Sequence, residues 1–199
     1  MITVDCVQGT PEWFAARCGI PSASNFDKIV TSAGAPSKQA EKYMYQLAAE
    51  RVTGRTEESY SNAAMERGKE TEAEARDLYE IITDERVDSV GICFKDEDKL
   101  VGASPDGLVG DEGSIEIKCP LSHTHVGYLI NGGLPSEYFQ QVQGQLYVTG
   151  RKWVDFISYF PGLKPLIVRV TRDEKFMKAL EIELAVFLKQ LDEVTERIR

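Results

Sequence analysis

The segment from Ser104 to Pro120 constrains this chain more than any other. It reads Ser-Pro-Asp-Gly-Leu-Val-Gly-Asp-Glu-Gly-Ser-Ile-Glu-Ile-Lys-Cys-Pro. Ile115 and Ile117 alternate with Glu116 and Lys118, the period-two pattern of a strand that buries one face. Glu116 and Lys118 therefore project together from the other face. Gly110-Asp111-Glu112-Gly113 is turn chemistry, so residues 101–109 are expected to fold back antiparallel onto 114–119. Counting outward from that turn sets Asp106 within about one residue of lying opposite Glu116 or Ile117. Two carboxylates and a lysine at one point can hold Mg²⁺ and activate a water against a phosphodiester. Singly, the pieces have plainer readings. Asp106-Gly107 is a common turn dipeptide, and an exposed Glu116/Lys118 pair would be worth under ~1 kcal/mol. Together, on a strand whose face the isoleucines fix, they read as a hydrolytic metal site.

The rest of the sequence bounds what surrounds that strand. At 199 residues the chain fits one domain, 1–199, with a substantial core. Its 42% hydrophobic and 28% charged residues are ordinary for a soluble globular protein. No apolar run approaches the ~18 residues that span a bilayer, and no basic-then-apolar leader opens the sequence. Cys6, Cys18, Cys93 and Cys119 are scattered without a C-x-x-C pair, which argues against zinc or an iron–sulfur cluster. Reduced thiols in a cytoplasm are the simplest account. The net charge of −9 cuts against a protein that coats nucleic acid nonspecifically. It leaves room for local engagement, because screening confines long-range repulsion to about 8–10 Å.

The pattern along the chain is α/β: a mixed central sheet flanked by helices, with the acidic hairpin at its centre. Thr10-Pro11-Glu12-Trp13 reads as a cap with proline at the first helical position. Ser22 or Ser24 is suited to cap a short helix ending near Val30. Further helices are expected over 38–52, closed by Gly54, and from Asn62 to about Ile82. Strands are expected at 87–95 and 100–103, then the hairpin. Helices at 122–130 and 136–148, strands at 153–160 and 166–171, and a helix from Asp173 complete the pattern. The last helix carries Phe176, Leu180, Leu184, Phe187, Leu191, Val194 and Ile198 at spacings of three and four, a stripe suited to core or subunit contact.

Four other groups are candidates. The stretch Met65 to Glu72 is dense in carboxylates, most of them suited to a solvated helix face, with Glu72 and Arg76 at i,i+4. Gln140, Gln141, Gln143 and Gln145 form a polar cluster on a helix that also carries Tyr138, Phe139, Leu146 and Tyr147. Trp13, Arg17, Ser22 and Ser24 surround two successive helix starts, where a guanidinium, hydroxyls and backbone N–H groups suit a terminal phosphate. His123 and His125, two apart on a helix, point to different faces and do not suggest a metal site.

These residues in this order resemble the lambda-exonuclease family of phage recombination nucleases, within the wider PD-(D/E)xK nuclease superfamily. The likeness runs through Trp13-x-x-x-Arg17-x-Gly19-Ile20 with Ser24, and Gly68-x-x-x-Glu72-x-x-x-Arg76. It continues through Ser104 to Leu108, Glu116 to Pro120, Gln141-Val142-Gln143, and Arg172 to Met177. The resemblance implies a restriction-endonuclease-like core and a Mg²⁺-dependent 5′→3′ exonuclease acting on double-stranded DNA ends. It implies two Mg²⁺ ions, with Mn²⁺ an alternative, held by Asp106, Glu116, the Ile117 carbonyl and Glu72. Lys118 matches the catalytic lysine and Gln143 a polar group beside the attacking water. Arg17 and Ser24 match positions that hold the 5′-phosphate, and Trp13 an aromatic near that pocket. A homotrimer around the duplex, a phage single-strand annealing partner and a bacterial-host cytoplasm are implied too. An endonuclease of the same superfamily and a nonhydrolytic end-binding subunit are the alternatives. The intact Asp106, Glu116 and Lys118 argue against the second.

Overall fold

A computed structural model of the chain describes residues 1–56 and 63–199, the side chains of 63–70 excepted. The expected helix start at Asn62 and the side chains of the carboxylate-dense stretch 65–70 lie outside the described residues. In chain order the elements are β1 (Ile2–Val4), α1 (Pro11–Arg17), a 3₁₀ turn (Ala23–Lys28), α2 (Ala40–Thr53), α3 (Ala63–Thr83), β2 (Val87–Asp88), β3 (Ile92–Phe94) and β4 (Gly102–Ala103). There follow β5 (Gly107–Val109), β6 (Gly113–Lys118), α4 (Ser122–Asn131), a 3₁₀ turn (Ser136–Tyr138), α5 (Phe139–Thr149), β7 (Trp153–Ser158), β8 (Leu166–Thr171) and α6 (Glu174–Ile198).

A five-stranded sheet in the order β2-β5-β6-β7-β8 places β6 in the middle. β6 runs parallel to β7, and the other pairs are antiparallel. The parallel step needs a long crossover, which α4 and α5 supply. β1, β3 and β4 form a separate sheet. Two expected strands are therefore divided. The 87–95 strand becomes β2 and β3 in different sheets, and of 101–109 only Gly107–Val109 pairs with β6. Backbone chemistry explains both breaks. Pro105 has no N–H to continue the ladder. At Gly91 a Cβ would stand 2.7 Å from the Val4 carbonyl oxygen and 2.4 Å from that of Cys6, so β1 and the residues after it approach too closely for an ordinary strand residue.

Each face of β6 has its own cover. Ile115 and Ile117 pack with Ile157 against Ala75 and Tyr79 of α3. On the other face Val142 and Leu146 of α5 meet Val154 and Phe156. The α6 stripe is core from Phe176 to Leu191, closing on Tyr43 and Leu47 of α2. Val194 is half-buried and Ile198 exposed, so the stripe fades at its end. Each fully buried residue such as Leu180 is worth roughly 1.5–3 kcal/mol over leaving it in water. Asp173 caps α6 by accepting from the Lys175 and Phe176 amides, and Gly54 ends α2 at φ +66°.

Two buried polar knots fix the layers. Asp155 of β7 accepts the Tyr79 hydroxyl of α3 at 2.7 Å and both Arg169 donors at 2.8 and 2.7 Å. His125, wholly buried, bonds Ser158 Oγ through Nδ1 at 2.7 Å and the Lys164 carbonyl through Nε2 at 3.0 Å. A carbonyl only accepts, so Nε2 carries the proton and Nδ1 accepts from the serine. His123 is exposed, and the two histidines diverge as their spacing requires.

Candidate active site

The register of β5 and β6 sets the first contacts. Gly107 lies opposite Ile115, so one step further Asp106 lies beside Glu116. The Asp106 amide donates to the Ile115 carbonyl at 3.1 Å, and Asp106 Oδ2 accepts the Ile117 amide at 2.6 Å. Lys118 Nζ is ion-paired to Glu116 Oε1 and lies 5.3 Å from the Tyr138 ring centroid. Asp106, Glu116 and Lys118 thus come together at the end of the central strand.

Glu116 is 1% exposed, and an ionised carboxylate there needs charge-assisted partners. It has three. Besides Lys118, Gln141 Nε2 donates to Oε1 at 2.6 Å, and Gln145 Nε2 donates to Oε2. The side chain of Gln143 is elsewhere, which corrects its expected place. Its Nε2 donates to the Thr171 carbonyl at 2.9 Å and its Oε1 accepts the Asp173 amide at 2.9 Å. Helical geometry is the reason. Residues 141 and 145 are four apart and share a face, whereas 143 is two away and turns from it. Gln143 fastens the junction of β8 and α6 instead. The i,i+4 spacing of Gln141 and Gln145 was the available signal.

α3 brings Glu72 toward the same place. Arg76 Nη2 pairs with Glu72 Oε1 at 3.6 Å and donates to the Asp106 carbonyl at 2.6 Å. Its Nη1 donates to Ser89 Oγ at 2.9 Å. Burial raises the Asp106 carboxyl well above its ordinary value, and Glu116 and Glu72 push it further, against Lys118 and the Ile117 amide. Burial works to lower the Lys118 ammonium. The Glu116 and Asp106 charges and the hydrogen bond to Glu116 outweigh it, so the group is raised. Lys118 is consequently a cation, suited to orienting a nucleophile and neutralising developing charge.

A divalent cation answers this donor set. The accumulated negative charge that raises Asp106 is what a cation would relieve, and carboxylate oxygens suit hard ions such as Mg²⁺ or Mn²⁺. Among the described residues no three His, Cys, Asp or Glu side chains enclose an ion by themselves. Mg²⁺ sites commonly use one or two carboxylates and leave the remaining positions to water and substrate phosphate. Asp106 and Glu116 fit that pattern. Ile117 lies between the two strand groups with its amide on Asp106.

The second constellation is built by α1 and the turn after it. Arg17 Nη2 donates to Ser22 Oγ at 3.0 Å and Ser24 Oγ at 3.3 Å. Its guanidinium lies 4.0 Å from the Trp13 ring centroid. Trp13 Nε1 donates to the Gly91 carbonyl at 3.2 Å and Ser104 Oγ at 3.0 Å. Ser22 and Thr10 stand at cap positions, yet neither side chain caps a backbone amide. Side chains therefore form this pocket, with Asn25 Nδ2 on Ser22 Oγ at 3.3 Å. Burial pulls the Arg17 guanidinium below its ordinary value, with Tyr43 and Glu50 opposing. Ser104 and Tyr43 reach the pocket only through tertiary contact, so their place there was not legible in the sequence.

One cleft of about 1070 Å³ is lined by Trp13, Arg17, Ser22 and Asn25 of the second constellation and by Glu72, Arg76 and Asp106 beside the first; Glu116 and Lys118 are not part of its lining.

The YqaJ-like viral recombinase domain matches residues 12–152. The chain is similar in structure to an alkaline exonuclease (LHK-Exo) from Laribacter hongkongensis, at 40% identity and TM-score 0.86, over 95% of this chain and 96% of that one. The same enzyme in complex with dAMP matches at 41% identity and TM-score 0.86, with the same coverage. A phage related exonuclease from Haemophilus somnus 129PT shares the fold at 15% identity and TM-score 0.68, covering 90% of this chain and 96% of that one. No curated protein matches by sequence.

Proposed function

The chain belongs to the YqaJ-like viral recombinase family, and we propose that it is a metal-dependent 5′→3′ exonuclease that degrades one strand of duplex DNA from its ends. Family and near-full-length likeness to an alkaline exonuclease support a DNA nuclease acting in recombination. The 3′ single-stranded tails it leaves would feed strand annealing.

The observation that carries the reading is the shared cleft, whose lining holds Arg17 and Ser22 together with Glu72 and Asp106. A 5′-terminal phosphate on Arg17, Ser22 and Ser24 would fix the strand end and lay a neighbouring phosphodiester toward Asp106. The Arg17 guanidinium lies over the Trp13 ring, a contact that restrains the fork a phosphate needs. The complex of the Laribacter enzyme with dAMP, a nucleoside 5′-monophosphate, is in keeping with such a pocket.

At the cutting end Asp106, Glu116 and the Ile117 carbonyl would hold Mg²⁺, with Glu72 near a second ion; Mn²⁺ suits the same oxygens. The bound ions would supply a more acidic water and neutralise charge on the phosphate and leaving oxygen. Lys118, held by Glu116, orients the water and offers its positive charge to the reacting phosphate. Gln141 and Gln145 hold the Glu116 carboxyl in place. Arg76 keeps the Asp106 backbone against α3. Three copies encircling the duplex, beside a single-strand annealing protein in a bacterial host cytoplasm, complete the reading on the strength of the resemblance. Among the described residues no helix is long and apolar enough to cross a membrane.

The test is Lys118→Ala. The variant should keep its far-ultraviolet circular dichroism and lose Mg²⁺-dependent digestion of linear duplex by about 10³-fold or more. Undiminished digestion would remove Lys118 from the chemistry.

A further inference from the structure

α1 is seven residues long and has no buried residue, yet it carries both Trp13 and Arg17. Something other than core packing must fix it. Trp13 supplies one anchor through Gly91 and Ser104. The other lies just beyond the helix, at Gly19.

Two consecutive residues of α2 hold that glycine by both of its backbone groups. Glu50 Oε2 accepts the Gly19 amide at 2.9 Å, and Arg51 Nε donates to the Gly19 carbonyl at 2.8 Å. Glu50 is 5% exposed, and its Oε1 accepts Gln46 Nε2 at 3.0 Å. The Cys18 thiol donates to the Glu50 carbonyl at 3.4 Å. Arg51 is secured to α6 by Asp192 Oδ1 at 2.6 Å. Gly19 has φ +71°, and a Cβ there would meet Arg51 Cγ at 2.4 Å. Only glycine combines that backbone conformation with so close an approach.

We infer that Glu50 and Arg51 are positioning residues for the DNA-end pocket: by gripping Gly19 they set where α1 ends and therefore where Arg17 meets Ser22 and Ser24. Neither residue is required to touch DNA. Their role is to make recognition of a terminal phosphate rigid, so their loss should weaken preference for phosphorylated ends more than turnover. This inference rests on the proposed 5′-phosphate pocket.

The experiment compares kcat/KM for linear duplex bearing 5′-phosphate with that for the same duplex bearing 5′-hydroxyl. Wild type, Arg17→Ala, Glu50→Ala, Glu50→Gln and Arg51→Met are measured side by side, with thermal melts. Arg17→Ala should collapse the phosphate preference. Glu50→Ala and Arg51→Met should each lower it by about tenfold, as a small displacement of a binding group does. kcat on hydroxyl ends should stay near wild type. Glu50→Gln retains an acceptor for the Gly19 amide and should recover most of the preference. If Glu50→Ala does not fold, Arg51→Met, nearer the surface, decides the matter. An unchanged preference in folded Glu50→Ala or Arg51→Met, with Arg17→Ala impaired, overturns the clamp and leaves the pocket standing. An unchanged preference in Arg17→Ala overturns the pocket and the clamp with it.

Discussion

Asp106 concentrates the cost of this site in one side chain. Burial first, then Glu116 and Glu72, raise its carboxyl well above the ordinary value. A carboxyl raised on folding contributes stability that is complete below its unfolded pKa of ~3.9. That contribution is lost as pH rises through the folded value. Metal-free protein should therefore carry a penalty at pH 8 that a divalent cation relieves. Asp106→Asn keeps an acceptor for the Ile117 amide and removes the charge. Its metal-free form should melt about 2–4 °C above wild type at pH 8, with the gap closing in acid. Mg²⁺ should raise the melting temperature of wild type and leave the variant unmoved. Scanning calorimetry in chelator and in Mg²⁺ at two pH values checks both statements. A metal ion also has to displace any proton on Asp106, so the Mg²⁺ concentration for half-maximal activity should fall as pH rises. Titrating Mg²⁺ at successive pH values measures this.

At the scale of elements, α5 separates two kinds of glutamine. Gln141 meets Glu116, while Gln143 fastens the start of α6 to the end of β8. Gln141→Ala should lower kcat with little effect on melting. Gln143→Ala should cost about 2 kcal/mol of stability and leave kcat near wild type in the folded fraction. Urea denaturation beside single-turnover digestion separates the two, and a reversed pattern would return Gln143 to the chemistry. The i,i+4 spacing of Gln141 and Gln145 was legible in the cluster, but which partner each face of α5 meets was not. Alternation around Ile115 and Ile117 placed Glu116 and Lys118 on one face, because strand period is local; that this face is buried too, Glu116 included, depends on α5 covering it. The turn at 110–113, local as well, placed Asp106. Local pattern did not reveal where β4 ends and β5 begins, since that depends on which sheet each strand joins. Nor did it reveal Glu50. A carboxylate on an amphipathic helix reads as solvated until the fold brings Gly19 against it.

At the scale of the molecule, an overall charge of −9 coexists with a site that would engage DNA, because contact can be local. Arg17 and Arg76 line the cleft together with Asp5, Glu50, Glu72, Asp77 and Asp106, so bound divalent cations would offset its carboxylates. An enzyme that must seat a strand end before cutting has no use for a closed circle. Covalently closed duplex should survive an incubation that consumes the same plasmid after linearisation, as agarose gels will show. Cutting of the closed form would favour the endonuclease reading. The most direct test of the central claim is digestion of linear duplex in Mg²⁺, labelled separately at the 5′ and 3′ ends, with and without 5′-phosphate. The account predicts early release of the 5′ label as mononucleotide, faster from phosphorylated ends, while the 3′-labelled strand shortens only late. Early release of the 3′ label, or equal rates from phosphate and hydroxyl ends, would contradict it.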